Sequence, residues 1–146
     1  MDWSRTPLET TESPRGAGAV WVPVHGVVVT RARGYGDLAL IRTYTRLADR
    51  AFTEGGRWRA FHHWLEIEAF EPAARAYLRG WAASRASNLA DAHYLLGSRV
   101  LAMAVSIAAL ALGRELVSYT DEARFEGMLD EAVREASAKP RGGGGR

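Results

Sequence analysis

Alternation of valine with other residues marks the first structured stretch of the chain. Residues 19–33 (AVWVPVHGVVVTRAR) read as two short strands parted by Pro23 and His25-Gly26, which predicts a hairpin whose first member is an edge strand tolerant of proline. The hydrophobic period then lengthens from two to 3.6. Asp37 is a good N-cap, and Leu38, Ile41, Thr45, Ala48 and Phe52 recur at helical spacing until Gly55-Gly56, so residues 37–54 are expected as an amphipathic helix. Residues 57–65 (RWRAFHHWL) have the length of a strand. Pro72 behind Glu71 opens a second helix whose inward stripe is Ala74, Tyr77, Leu78 and Trp81. Residues 91–97 (DAHYLLG) are a further strand, and Ser98 caps an apolar helix that runs to Gly113. After a short strand at 115–119 (ELVSY), Thr120 opens a last helix with Asp121 and Glu122 in its first turn and Phe125, Met128, Leu129, Ala132 and Val133 turned inward. Strands alternating with helices imply a mostly parallel sheet with right-handed crossovers: one α/β domain with about four helices.

Length supports a single domain, since 146 residues bury one modest core. The polar, Pro/Gly-punctuated residues 1–18 are expected as a flexible leader, residues 19–136 as the domain, and residues 137–146, with their KPRGGGGR ending, as a disordered tail. No cysteine is present, which excludes disulfides, thiolate metal sites and a cysteine nucleophile and suits the cytoplasm. The longest apolar run, residues 100–113, is shorter than the ~20 residues of a membrane span, so it is expected as a buried helix. Nineteen basic and seventeen acidic side chains are too nearly balanced for a nucleic-acid polycation, and aromatic residues do not interleave with the arginines. Arg42, Arg46 and Arg50 stripe the first helix while acids crowd the last, giving the domain a basic and an acidic flank.

Gly34-Tyr35-Gly36-Asp37-Leu38-Ala39 fits G-x-G-x-x-A between a strand and a helix, but Asp37 places a carboxylate where a pyrophosphate would lie, so the segment reads as a turn. His62, His63, Glu66 and Glu68 fall near the end of one strand. Adjacent strand residues point to opposite faces, so His62 and His63 cannot share one ion, and neither a metal nor a catalytic set is expected; His25 and His93 read as hydrogen-bonded structural or surface histidines. Ser98 and Arg99 at a helix start form a weak anion-binding candidate, with Ser98 as a plain cap the commoner role. Within the apolar helix, Leu101, Val105, Ala108 and Leu112 make a second stripe about 120° from that of Val100, Met103, Ile107 and Leu110, at the geometric ~100° per residue. A neighbouring helix or a partner interface covers it.

The element order, the junction FHHWLEIEAFEPAARAYL (residues 61–78) and the stretch SRVLAMAVSIAALALG…ELVSYTDEARFEGML (residues 98–129) resemble STAS-like domains, the fold of anti-sigma factor antagonists and of the cytoplasmic ends of sulfate transporters, in a small stand-alone bacterial form. The resemblance implies a non-enzymatic regulatory or scaffolding domain without a cofactor, acting on a protein partner, with a homo-oligomer also compatible. It implies a partner surface at the start of the second helix: Glu68, Phe70, Glu71 and Arg75, extended by Leu101, Val105 and Leu112. Many such domains switch partners on phosphorylation of a hydroxyl that follows an aspartate there. Here that junction reads Phe70-Glu71-Pro72-Ala73, which offers no hydroxyl, and the Glu71 carboxylate would stand in for part of a phosphate. A lipid or other apolar ligand is the alternative, held among Phe61, Trp64, Phe70, Tyr77 and Trp81.

Overall fold

The computed structural model describes residues 1–52, 57–99, 102 and 116–139. Among these, β1 (Glu9–Ser13), β2 (Gly16–Val24) and β3 (Val27–Gly36) form an antiparallel meander, and β4 (Trp58–Phe70), β5 (Leu89–Leu96) and β6 (Leu116–Tyr119) continue the same sheet in parallel from β3. Strand order in space is strand order in sequence. Three helices, α1 (Leu38–Phe52), α2 (Pro72–Arg85) and α3 (Glu122–Ala138), are described, with a 3-10 turn at Ala86–Asn88.

The sheet divides the core in two because side chains alternate between its faces. On one face Tyr44, Leu47 and Ala48 of α1, with Leu78 and Trp81 of α2, pack on Val20, Val28, Trp58, Ala60, Trp64 and Ile67. On the other, Phe125, Leu129 and Ala132 of α3 pack on Trp21, Val27, Val29, Phe61, Leu95 and Tyr119. Valines are therefore buried on both sides of β3, as a strand between two helical layers requires.

Several expectations are corrected. Residues 1–18 are not a loose leader: Glu9–Ser13 pairs with β2, Leu8 donates its N–H to the Val20 carbonyl at 2.8 Å, and Trp3 packs on the α3 face beside Trp21. β1 thus takes the sheet edge assigned to β2. Pro23 is tolerated in β2 because β1 pairs only as far as Val20 and the β2–β3 register shifts between Trp21 and Val24, so a missing N–H there breaks no ladder bond. β4 runs five residues past its expected end, since Ile67 turns inward between exposed Glu66 and Glu68 and continues the alternation. Tyr77 is 38% exposed and does not belong to the inward stripe of α2. The cap of α3 is Asp121, whose side chain accepts the N–H groups of Ala123 and Arg124, and Thr120 lies before it. Of the expected Ser98–Gly113 helix, Ala102 donates to the Ser98 carbonyl at 3.0 Å and packs on the α1 face; Leu101, Val105 and Leu112 lie outside the described residues, as do residues 140–146 of the expected tail.

Candidate functional site

The carboxyl ends of β3 and β4 meet the starts of α1 and α2, and backbone polarity organises the junction. The first N–H groups of a helix lack intrahelical acceptors and attract negative charge. At α1 two carboxylates supply that charge: Asp37 Oδ1 accepts from Leu40 N–H at 2.8 Å, and Glu71 Oε2 accepts from Leu38 N–H at 2.9 Å. Glu71 N–H in turn donates to the Gly36 carbonyl at 3.0 Å. The start of α1 therefore spends the Leu38 and Leu40 amides on the protein's own acids, while Tyr35 N–H donates to the Arg15 carbonyl and Asp37 N–H to that of Tyr35, which agrees with the turn reading of the G-x-G-x-x-A segment. Gly36 is needed for close approach, since a Cβ there would run into the ring of Phe70.

Glu71 also precedes Pro72 at the first position of α2, in an extended conformation with φ −58° and ψ 138°. Its side chain makes no cap bond to its own helix and reaches across to α1 instead. Around it, Glu68 and Arg75 are exposed, and Phe70 is half-buried with its ring 5.6 Å from that of Trp64. Glu68, Phe70, Glu71 and Arg75 are thus brought together at one end of the sheet. Ser98 and Arg99 follow β5, the next parallel strand, at the same end, Ser98 half-buried and Arg99 exposed.

Because Glu71 ties the two helix starts, Glu71→Ala should lower stability by about 1 kcal/mol, the usual value of a helix-start cap. Glu71→Gln keeps an acceptor for Leu38 and should lose less than half of that. Urea midpoints of the two variants, compared at constant slope, check the order.

The histidines are divided as the alternation of β4 requires. His62 faces α1 and α2: its Nδ1 lies 2.8 Å from Thr30 Oγ1, which also accepts from the Trp64 indole at 3.1 Å. The indole can only donate, so the Thr30 hydroxyl hydrogen is free to be donated to Nδ1, an arrangement that suits the neutral Nε2–H tautomer. Burial, with the charge of His93 as a smaller cause, pushes the His62 pKa down to about 3. His63 faces α3, with Nε2 2.9 Å from Glu122 Oε1. His93 Nδ1 is 2.8 Å from the Tyr119 hydroxyl, and its ring stacks on Phe61 at 4.5 Å. Its Nε2 stands 3.3 Å from Asp91 Oδ2, within ion-pair range but outside hydrogen-bond geometry. Burial alone would raise the Asp91 pKa, but His93 and the Arg59 guanidinium, 3.1 Å from both carboxylate oxygens, together hold it below the usual range.

Sequence proximity pointed to Glu66 and Glu68 as companions of His63; the fold supplies Glu122 and Glu126 from α3 instead, with ligand-type atoms of all three within 4.8 Å. Glu126 already accepts the Trp3 indole N–H at 2.8 Å and the Met1 ammonium at 3.2 Å. Nothing local in the sequence signals this pairing, which joins residues 59 positions apart.

No family model matches the chain, and none of the curated proteins matches it. Among solved structures it is similar to an uncharacterized protein of the DUF3478 family with a SpoIIAA-like fold from Shewanella loihica PV-4, at a TM-score of 0.67 and 12% identity, over 82% of this chain and 98% of that one. The fold of the chain is accordingly SpoIIAA-like, that is, STAS-like. Among the described residues no helix is long and apolar enough to cross a membrane.

Proposed function

We propose that the chain is a non-catalytic, cytoplasmic STAS-like domain that regulates or scaffolds by binding a protein partner at the start of α2. The observation that carries this reading is the arrangement at Glu71. Its bond to Leu38 fixes the two helix starts, so that Glu68, Phe70 and Arg75 are presented from a braced platform rather than a loose loop. Preorganised side chains of opposite charge around an aromatic residue suit protein recognition. The histidines support a structural role, since His62, His63 and His93 each lie in the core with a side-chain partner. The apolar-ligand alternative finds less support: the space under α1, between Tyr44, Trp64, Ile67 and Phe70, is about 20 Å³, room for roughly one water.

Crosslinking in the native host, with identification and quantitation of the captured protein, tests the proposal. Reversing both charges (Glu68→Arg with Arg75→Glu) should reduce capture of that protein about tenfold, equivalent to ~1.4 kcal/mol, while the reversal Arg134→Glu on α3 leaves it unchanged. Equal capture by all three proteins overturns the proposal, as does a stoichiometric lipid carried by the purified wild type in native mass spectrometry.

A further inference from the structure

Among the described residues, α3 and Trp3 cover only part of their face of the sheet. The remainder, over β1, β2 and the end of β3, is a trough of about 350 Å³, at the lower end of the ~300–1,000 Å³ range of small-molecule clefts. Its floor is shallow because small residues of β2 line it: Ala17 and Ala19, with Gly18 between them. Arg31 and Arg33 enter it from the same face of β3, one strand repeat apart, about 6.6 Å along the backbone. Neither has an ion-pair partner among the described residues. Arg31 is braced, with its guanidinium 5.4 Å over the Trp3 ring, and Trp3 is held edge-on against Trp21 and by its bond to Glu126. Glu12 and Glu66 stand on the rim, also without an ion pair among the described residues.

We infer that this trough is a binding site for a small organic anion that also carries hydroxyl or amino groups, its carboxylate or phosphate held by Arg31 and Arg33. A guanidinium presents paired donors that match the oxygens of either group. Glu12 and Glu66 supply acceptors for the ligand's hydroxyl or amino hydrogens, and their charge works against long polyanions such as nucleic acid. The site is separate from the α2 surface, lying on the opposite face of the sheet from α1 and α2, so it stands or falls independently of the proposed partner binding.

Titration of the full-length chain with L-malate and, separately, with ribose 5-phosphate tests the site, at an ionic strength held constant with sodium chloride. Amide NMR shifts report its location. Saturable shifts should appear at residues 17–19 and 31–33, and the probe that binds more tightly identifies carboxylate or phosphate as the preferred group. Arg31→Gln with Arg33→Gln should weaken that binding by about tenfold or more, since each charged hydrogen bond lost is worth at least that factor. Should the double variant unfold, Arg33→Gln alone decides the matter, because Arg33 is exposed. The inference is overturned if neither probe gives saturable shifts, if the shifts fall elsewhere, or if the arginine variant binds as the wild type does.

Discussion

Phe125→Ala is expected to destabilise the domain by about 4 kcal/mol, in the range for removing a buried aromatic ring. Phe125 is fully buried, and its ring centre lies 5.9 Å from each of Phe61, His63 and Tyr119. Those three groups sit on β4 and β6, so one side chain pins α3 to two strands that are not neighbours in the sheet. Removing it opens a cavity which rigid strands cannot close. Since a domain of this kind has only about 5–15 kcal/mol in total, the variant should show a urea midpoint far below that of the wild type. Phe125→Leu, which retains most of the volume, should recover more than half of the loss. A cost below about 1 kcal/mol for the alanine variant would contradict the packing of α3 on this face.

Acid should weaken the fold through His62. Folded, its pKa lies near 3, against the ordinary 6.5 of an unfolded chain. Above pH 6.5 both states hold the imidazole neutral and no penalty arises. As pH falls below 6.5 the unfolded chain takes up a proton that the folded protein refuses, so stability is lost until pH 3, where the folded form also protonates. Between pH 7 and pH 4 the loss from this residue is roughly 3 kcal/mol, at ~1.4 kcal/mol per pH unit. His62→Gln keeps a polar side chain of similar size that does not titrate. Its unfolding free energy should fall less steeply over this interval, and the difference between the two curves isolates the His62 contribution from that of Asp91, which acts in the same direction. Parallel curves for the two proteins would place His62 in a hydrated setting and refute its burial against Thr30 and against Tyr94, whose ring centre lies 4.5 Å from that of the imidazole.

Both predictions depend on which face of β4 each residue occupies, and that much is legible in the chain. Strand alternation alone separates His62 from His63, and the structure places them on opposite sides of the sheet. Helical spacing identified the buried residues of α3, and the Asp37 cap and the His25-Gly26 turn could be located because each rests on interactions within a few residues. The first eighteen residues misled because their signal is compositional. Pro7, Pro14, Gly16 and Gly18 suggest a loose segment, yet β1 gains its order from β2 and Trp3 gains its order from α3, partners that a local reading does not supply. Tyr77 likewise fits the helical stripe by spacing, but it stays exposed with the Arg42 guanidinium of α1 5.6 Å from its ring centre.

The candidate sites divide in the same way. Glu68, Phe70, Glu71 and Arg75 are close in sequence, so their clustering at the start of α2 followed from the chain. That the Glu71 carboxylate serves α1 rather than its own helix did not, because its partner Leu38 lies 33 residues away. The trough was still less accessible, because its lining brings together residues of β1, β2, β3 and β4 that lie up to 56 positions apart in the chain.

On its own, the amino-acid order determined the periodicities, the caps and turns, and the alternation of strand and helix that makes this an α/β domain, since these are governed by interactions over a few residues; the likeness to STAS-like domains rested besides on the stretches 61–78 and 98–129. Tertiary structure alone decided which acid meets which histidine, where the amino-terminal segment docks and which residues line the trough. Those outcomes depend on the relative placement of elements far apart in the chain, and only the packed core sets that placement.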